Sequence, residues 1–446
     1  MENIRSSYWF VPAIMATAAL FLGAGSVYID ANIGSDWLDG LSWYQSNKAD
    51  GAQQVLSTIA GSAITVAGVV FSITIASVSY AASQYGPRVL TNFMSDRGNQ
   101  VTLGTFIATF LYCLVVLRTI RGGDDKEFVP DLAIIIALVL ALCSIAVLIF
   151  FVHHVPRSIH VNTITAGIGR QLLHSVQERF PSFIGDSPDG SPVDETAIPE
   201  PLRAVGLTPA LGVSSVRSAA IGYIEAIDDE RLMAIATDSG LMLRLNCRPG
   251  DFMDTHSVYA MAWSNSTVAE DTLTDLQSTF AVSSKRTPIQ DTRFLIDELV
   301  EVGTRALSPG VNDPFTAITC LDWLGTTLSE VARRQLPSPH RFDRCGNLRV
   351  IAPPLTFTGF VDRGLGQFRQ YLATDKVACL HALQTIEGIA AACVLGAQIG
   401  TLLSEVEALR VTASEVLGAR LFADVEAAAA ETRSRLRSAL ADGAPA

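Results

Sequence analysis

The segment from Val55 to Tyr85 constrains the fold most, because its 31 residues include no charged side chain. About 20 consecutive apolar residues suffice to cross a bilayer core, so the segment predicts a membrane-spanning helix. It nevertheless contains nine Ser and Thr residues. Six of these nine are spaced so that they share one side of a helix, which we name the hydroxyl face. The hydroxyl face consists of Thr58, Ser62, Thr65, Ser72, Ser79 and Ser83.

The hydroxyl face has two interpretations. In the first, several copies of this helix surround a path for water or ions, and the hydroxyls line that path. In the second, the face packs closely against a neighbouring helix, helped by the small residues Gly61 and Gly68 beside it. Ser and Thr can also bond to the helix backbone, so their presence alone does not establish contact with water. Both interpretations stay open at the level of the sequence.

The rest of the composition indicates a membrane protein with a large extramembrane part. Hydrophobic residues make up 49% and charged residues 17% of the chain, and the mean hydropathy is +0.33. Three further uncharged runs approach or reach the length of a membrane span, namely Ser7–Ile29, Gln100–Leu117 and Leu132–Val152. The first run lacks a small-residue cleavage site and is interpreted as a true span. Four spans place both termini on one side of the membrane.

The positive charges near the spans predict which side that is. Arg88 and Arg97 lie between spans two and three, and Arg157 and Arg170 follow span four. The loop between spans one and two contains Lys48 among several Asp residues. Because positively charged loops stay in the cytoplasm, we expect the N- and C-termini to be cytoplasmic.

The predicted organisation has four parts. Residues 1–180 form the four-span transmembrane domain with a helical extension, and the Pro- and Ser-rich residues 181–212 form a linker. Residues 213–265 are expected to form a small β-rich unit, with one strand near residues 233–240. Residues 266–446 show helical periodicity and predict a cytosolic all-helical domain. The expected fold class is thus membrane α-helical, followed by a small β-rich unit and a helical domain.

The turn between two predicted helices at residues 305–317 is the most polar compact segment. Arg305, Asn312, Asp313 and Thr316 could converge there on a small ligand or on another subunit, and the start of the second helix would favour an anion. The competing interpretation is structural, because Asp followed by Pro is also an ordinary helix start. Both alternatives remain open.

Several functional classes have no support in the sequence. A net charge of −12 argues against nucleic-acid binding, which requires clustered Lys and Arg. The seven Cys residues lack C-x-x-C spacing, so neither a disulfide framework nor a metal site is indicated. No catalytic motif is present, and we therefore expect no enzyme activity and no cofactor.

Three segments give the chain a resemblance to known proteins: Phe71–Thr119, Arg248–Phe252 and Arg286–Ala317. Through them it resembles, over nearly its full length, a bacterial family of predicted membrane proteins known only as a domain of unknown function. The resemblance implies the bacterial inner (plasma) membrane and no settled activity. It also marks Gly86 and Pro87, at the cytoplasmic exit of span two, as a family feature that suits a hinge or a constriction. One departure is Thr255-His256, where a Gly-containing turn is expected.

The leading functional hypothesis is a homo-oligomeric, channel-like or transport-related protein. Span two would lie at the central axis, and the cytosolic region would serve regulation or assembly. The partners expected are the lipid bilayer and further copies of the chain, while the ion or small ligand is unknown. The alternative is a non-conducting, membrane-tethered regulator or scaffold that binds a partner or small ligand through its cytosolic helical domain. An enzyme acting on a lipid or nucleotide is a third and weaker hypothesis.

Overall fold

The computed structural model divides the chain into two compact units, Met1–Ile164 and Thr165–Ala446. It describes residues 9–33, 49–87, 96–122, 128–179, 198–199, 202, 212–334, 337–352 and 354–441. Each unit is considered by itself. Most of the predicted linker at 181–212, and Arg88 after span two, lie outside the described residues.

The described residues of the first unit form four long helices. They are α1 (Phe10–Ile33), α2 (Ala49–Tyr85), α3 (Arg97–Leu117) and α4 (Asp131–Ile159). Each is long and apolar enough to cross a membrane. The four spans predicted from hydropathy are therefore confirmed as helices of the expected length and composition.

Helix α3 is the central helix of this unit, since it packs against α1, α2 and α4. Of its most apolar stretch 56% is buried, compared with 22–28% in the other three helices. The Tyr112 hydroxyl lies 2.9 Å from Ser26 Oγ of α1 and donates to the Ala133 carbonyl of α4, also at 2.9 Å. One buried phenol thus joins three helices, which satisfies its polar end within the bundle.

Carboxylates accept hydrogen bonds from the first backbone N–H groups of two of these helices, α4 and α3. Asp30, near the end of α1, accepts hydrogen bonds from the backbone N–H groups of Leu132 and Ala133 at 3.2 and 3.0 Å. Asp96 caps α3 and also lies 2.9 Å from Nε2 of His154. The first N–H groups of a helix have no partner within it, so such caps stabilise the helix start.

The second unit combines two small sheets with many helices. A break at His160 separates α4 from α5 (Val161–Arg179), most of which belongs to this unit. The strands are β1 (Val213–Arg217), β2 (Gly222–Ile227), β3 (Met242–Leu245), β4 (Phe252–Met253), β5 (Val258–Trp263), β6 (Phe280–Ser283), β7 (His340–Phe342) and β8 (Leu348–Ile351). The later helices are α6 (Asp229–Asp238), α7 (Glu270–Gln277), α8 (Thr292–Ala306), α9 (Pro314–Arg333), α10 (Phe357–Val361), α11 (Gln367–Leu372), α12 (Lys376–Ala390), α13 (Gly396–Val416) and α14 (Ala419–Ala441).

One sheet has the strand order β1-β5-β3-β8-β7 and the other has the order β4-β2-β6. All strand pairs are antiparallel except β3 and β8, in which Leu243 lies opposite Val350. Residues from both sheets, such as Ile224 and Leu243, share one hydrophobic core with α6 and α7. The two sheets therefore form a single β-rich core, as layered packing of apolar faces requires.

The expected fold class, four spans followed by small sheets and a helical region, is confirmed. The prediction that residues 266–446 are all-helical is wrong, because strands β6, β7 and β8 lie in this range and join the two sheets. The strand expected near residues 233–240 is wrong, because this segment is helix α6. Asp228 caps α6 by accepting the Arg231 N–H at 3.1 Å, and acidic residues in the first turn favour the helix.

Candidate functional site

The hydroxyl face of α2 points away from the other helices of its unit. The side of α2 that packs against them consists mainly of alanines, including Ala60, Ala63 and Ala67. All six residues of the hydroxyl face are exposed. At 100° per residue the two sets lie on roughly opposite sides of the helix. The face is therefore not used for packing between the described helices of one chain.

Four of the six hydroxyls bond to the backbone of their own helix. Thr65 Oγ1 donates to the Gly61 carbonyl at 2.7 Å, and Ser72 Oγ donates to the Gly68 carbonyl at 2.8 Å. Thr58 bonds in the same way one turn back. A side chain added at either glycine would meet no atom within 4 Å. The face is consequently polar and exposed, and four of its six hydroxyls are satisfied by the backbone of their own helix.

The predicted hinge lies where α2 ends. The last helical residue is Tyr85, and Gly86 follows with a φ of 112°. This backbone conformation is readily available only to glycine, so Gly86 ends the helix. Pro87 cannot continue the helical hydrogen bonds. A hinge or constriction at this position remains a prediction, since the next residues lie outside the described part of the chain.

The predicted site at residues 305–317 is the turn between α8 and α9. Asp313 caps α9, with its carboxylate 3.2 Å from the Thr316 N–H and 2.6 Å from the Thr316 hydroxyl. Arg305 lies 3.4 Å from Glu301, one turn back on α8. Asn312 has a φ of 50°, unusual for a residue other than glycine. The structure thus brings Asp313 and Thr316 together, and ligand or subunit binding by this turn stays a prediction.

Two of the segments that carry the family resemblance meet in space. In Arg248–Phe252, Gly250 adopts a φ of 89°, and a side chain there would lie 1.9 Å from the Asp291 carboxylate. Arg293 donates to the Pro249 carbonyl at 2.6 Å and to Asp251 at 2.8 Å. Only glycine permits this approach of backbone to carboxylate, so the turn and the start of α8 form one structural element.

A chain of ion pairs continues from this element into the helical region. Arg286 contacts Asp291 at 2.5 Å and Asp297 at 2.6 Å, and Arg363 holds Asp297 through two hydrogen bonds of 2.5 Å. Arg363 lies on a π-helical turn, Asp362–Gly366, between α10 and α11. Burial acts to raise the pKa of Asp297, but the hydrogen bonds from Arg363 and Arg286 together hold this pKa below its usual value. We name Arg286, Asp291, Arg293, Asp297 and Arg363 the arginine–aspartate network.

A pocket lies beside this network within the second unit. It has a volume of about 90 Å³, which is smaller than the roughly 300–1,000 Å³ of sites for drug-sized ligands and suits only a small ligand. Its lining is mostly apolar, and it is formed by the end of β2, the segment after β3, the start of α8, β7 and the segment that leads into α10. The lining residues are Ile227, Leu245, Cys247, Arg248, Pro249, Gln290, Asp291, Thr292, Arg293, Arg341, Ala352, Pro354, Leu355 and Phe360. We name it the arginine pocket.

Arg341 of β7 is the unusual member of the arginine pocket. Its side chain is only 1% exposed. Its Nη1 donates to the backbone carbonyls of Ser338 and His340, and among the described residues its Nε has no hydrogen-bond partner. Burial lowers the pKa of its guanidinium, which nevertheless stays charged at neutral pH. A buried positive charge thus borders an apolar pocket without a carboxylate partner in the described part of the chain.

No pattern in the sequence predicts the arginine pocket. Arg341 stands in an ordinary short strand without a motif, and β7 reaches the pocket only through its pairing with β8. The segments Arg248–Phe252 and Arg286–Ala317 were noted for their resemblance to a family, yet their contact could not be read from spacing.

Comparison with known proteins agrees with the architecture. Residues 5–388 match the family described as "Predicted membrane protein (DUF2254)". An uncharacterized protein of Mycobacterium tuberculosis and another of Mycobacterium bovis are each 31% identical over 399 residues, which covers 88% of this chain and 74% of each relative. No solved structure matches. The resemblance noted in the sequence is confirmed, and the chain belongs to the DUF2254 family of predicted membrane proteins.

Proposed function

We propose that this protein is a homo-oligomeric, channel-like membrane protein in which the hydroxyl faces of several α2 helices surround a central axis. The observation that carries the proposal is the exposure of all six hydroxyl-bearing residues on the side of α2 opposite its packing face. The second unit would then regulate or assemble the complex from the cytoplasm of a bacterial cell.

The surroundings of the hydroxyl face support self-association. Gly61 and Gly68 lie beside it with open space around them, and small residues allow membrane helices to approach closely. Large apolar residues such as Ile64 and Phe71 are exposed farther round the same helix. Such residues suit contact with lipid, whereas a band of hydroxyls and glycines suits contact with another helix or with water.

Cysteine crosslinking in membranes tests the arrangement. We expect Ser72→Cys to form disulfide-linked dimers on mild oxidation, because this position would face its counterpart in the next copy. Phe71→Cys is the matched control, since it lies one residue away but about 100° round the helix. The protein without an added cysteine shows how much crosslinking arises from its own cysteines. Equal crosslinking at both positions would contradict the proposed axis.

Ion flux through liposomes that contain the purified protein tests conduction. We expect the wild type to conduct ions, and we expect Ser72→Leu and Ser79→Leu to reduce the flux. Leucine would narrow the path along the central axis and exclude water from it. Phe71→Leu, on the lipid-facing side, should leave flux unchanged. A monomeric protein without flux under stretch, voltage or ligand would refute the channel.

A separate observation favours a second function, a non-conducting membrane-tethered regulator that binds a small ligand. This observation is the arginine pocket, with the buried charge of Arg341 in its wall. Ligand binding by the second unit without any flux would favour this function over the channel.

A further inference from the structure

The buried guanidinium of Arg341 is costly unless something compensates its charge. Transfer of an unpaired ion from water into a protein interior is unfavourable, even after the surrounding protein relaxes. Two backbone carbonyls solvate Nη1, but among the described residues Nε has no partner. An acidic group in the adjoining pocket would supply the missing opposite charge.

Asp291, the acidic side chain in the wall of the pocket, does not balance the charge of Arg341. Asp291 is only 1% exposed and is occupied by Arg286 and Arg293. Its neighbour Asp251 accepts from Arg293 and from the Arg248 N–H. The carboxylates nearest the pocket therefore already balance other arginines.

The apolar part of the pocket indicates that the rest of the ligand is apolar. Leu245, Ala352, Leu355 and Phe360 form an apolar wall. A small inorganic ion would leave this wall in contact with water, whereas a ligand with an apolar body would cover it. A cation would be opposed by the buried charge.

We propose that the arginine pocket binds a small amphipathic anion, with its carboxylate or phosphate group at Arg341 and its apolar body against Leu355 and Phe360. The proposal deepens the second function above by naming the class of ligand. It does not depend on conduction, so binding and flux can succeed or fail separately.

Isothermal titration of the full-length protein in a nonionic detergent tests the proposal with two probes, 4-phenylbutyrate and phenyl phosphate. Their relative affinities distinguish a carboxylate from a phosphate ligand. The neutral 4-phenyl-1-butanol controls for partition into micelles, and inorganic phosphate controls for the charged group alone. We expect one or both probes to bind more tightly than either control. Binding of inorganic phosphate as tight as that of phenyl phosphate, or no binding of either probe, would overturn the proposal.

Variants locate the site. We expect Arg341→Met to weaken probe binding at least about tenfold, since a hydrogen bond to a charged group is lost. Leu355→Ala should weaken binding less, because it removes part of the apolar wall. Arg231→Met is the matched control, since Arg231 is half exposed and pairs with Asp275 away from the pocket. Unchanged affinity in Arg341→Met would overturn the assignment.

Discussion

Two regions of this protein, the hydroxyl face of α2 and the arginine–aspartate network, place their polar side chains in opposite ways. The side chains of the hydroxyl face are exposed and uncharged, and four of the six bond to the backbone of their own helix, as Ser72 does to Gly68. In the arginine–aspartate network the polar groups are buried and charged, and they join segments far apart in the chain, as Asp297 joins Arg286 and Arg363. The first arrangement defines a surface, whereas the second holds the fold together. Substitutions should therefore separate association from stability.

The largest effect is expected at the centre of the network. Asp297→Asn leaves the guanidinium groups of Arg286 and Arg363 without their shared carboxylate, and such loss costs about 3–5 kcal/mol in a buried pair. Chemical denaturation of the full chain measures this loss. Asp322→Asn is the control, because Asp322 is 60% exposed in its pair with His381, and such exposed pairs contribute about 0–1 kcal/mol. If Asp297→Asn lowers the free energy of unfolding as little as the control does, the network does not stabilise the fold more than an exposed ion pair does.

The next largest loss of stability is expected at the turn that contains Gly250 and contacts the network. Gly250→Ala should destabilise the second unit by about 2–4 kcal/mol, because it combines an unfavourable backbone conformation with a clash against Asp291. Gly240→Ala tests the backbone cost alone, since Gly240 also has a positive φ but open space around it, and its expected cost is about 1–2 kcal/mol. Similar melting temperatures for the two variants would show that the contact with Asp291 is unimportant.

Acid should weaken the second unit through Asp297. Because the pKa of Asp297 is lower in the folded state than the ordinary value of 3.8, the unfolded state binds the proton more readily. The resulting stabilisation is fully present above the unfolded pKa and is lost as the pH falls through the folded pKa. Unfolding measured between about pH 5 and pH 2 should show this loss in the wild type and less of it in Asp297→Asn. Parallel pH profiles would contradict the assignment.

The smallest effect on stability is expected on the hydroxyl face. Thr65→Val removes a hydroxyl that is exposed and bonded to its own helix, so the free energy of unfolding should change by less than about 0.5 kcal/mol. Thr109→Val is the matched change on α3, where the hydroxyl is buried 3.0 Å from Ser144, and its expected cost is about 0.5–1.5 kcal/mol. Thermal unfolding in detergent compares them. A larger cost at Thr65 than at Thr109 would reverse the assignment of surface and interior.

The sequence predicted the fold well where the signal was local. Long uncharged runs gave the four spans, and helical periodicity gave α8, α9 and the later helices. The departure at Thr255-His256 did not disturb the β-rich unit, because Asp254 accepts from the His256 N–H and the Ser257 hydroxyl and closes the turn without glycine. The predicted strand is a helix at α6 because a short apolar pattern suits either element, and the cap at Asp228 favours the helix.

The sequence by itself determined that this chain has four membrane-length helices, that one of them has a hydroxyl face, and that a mixed β and helical region follows. These features depend on composition and on periodicity, which act between near neighbours. Only the tertiary structure decided which way the hydroxyl face points, and only it brought Gly250 to Asp291 and placed Arg341 beside a pocket. Those arrangements depend on contacts between distant segments, such as β3 with β8, and no local pattern of residues encodes such pairing.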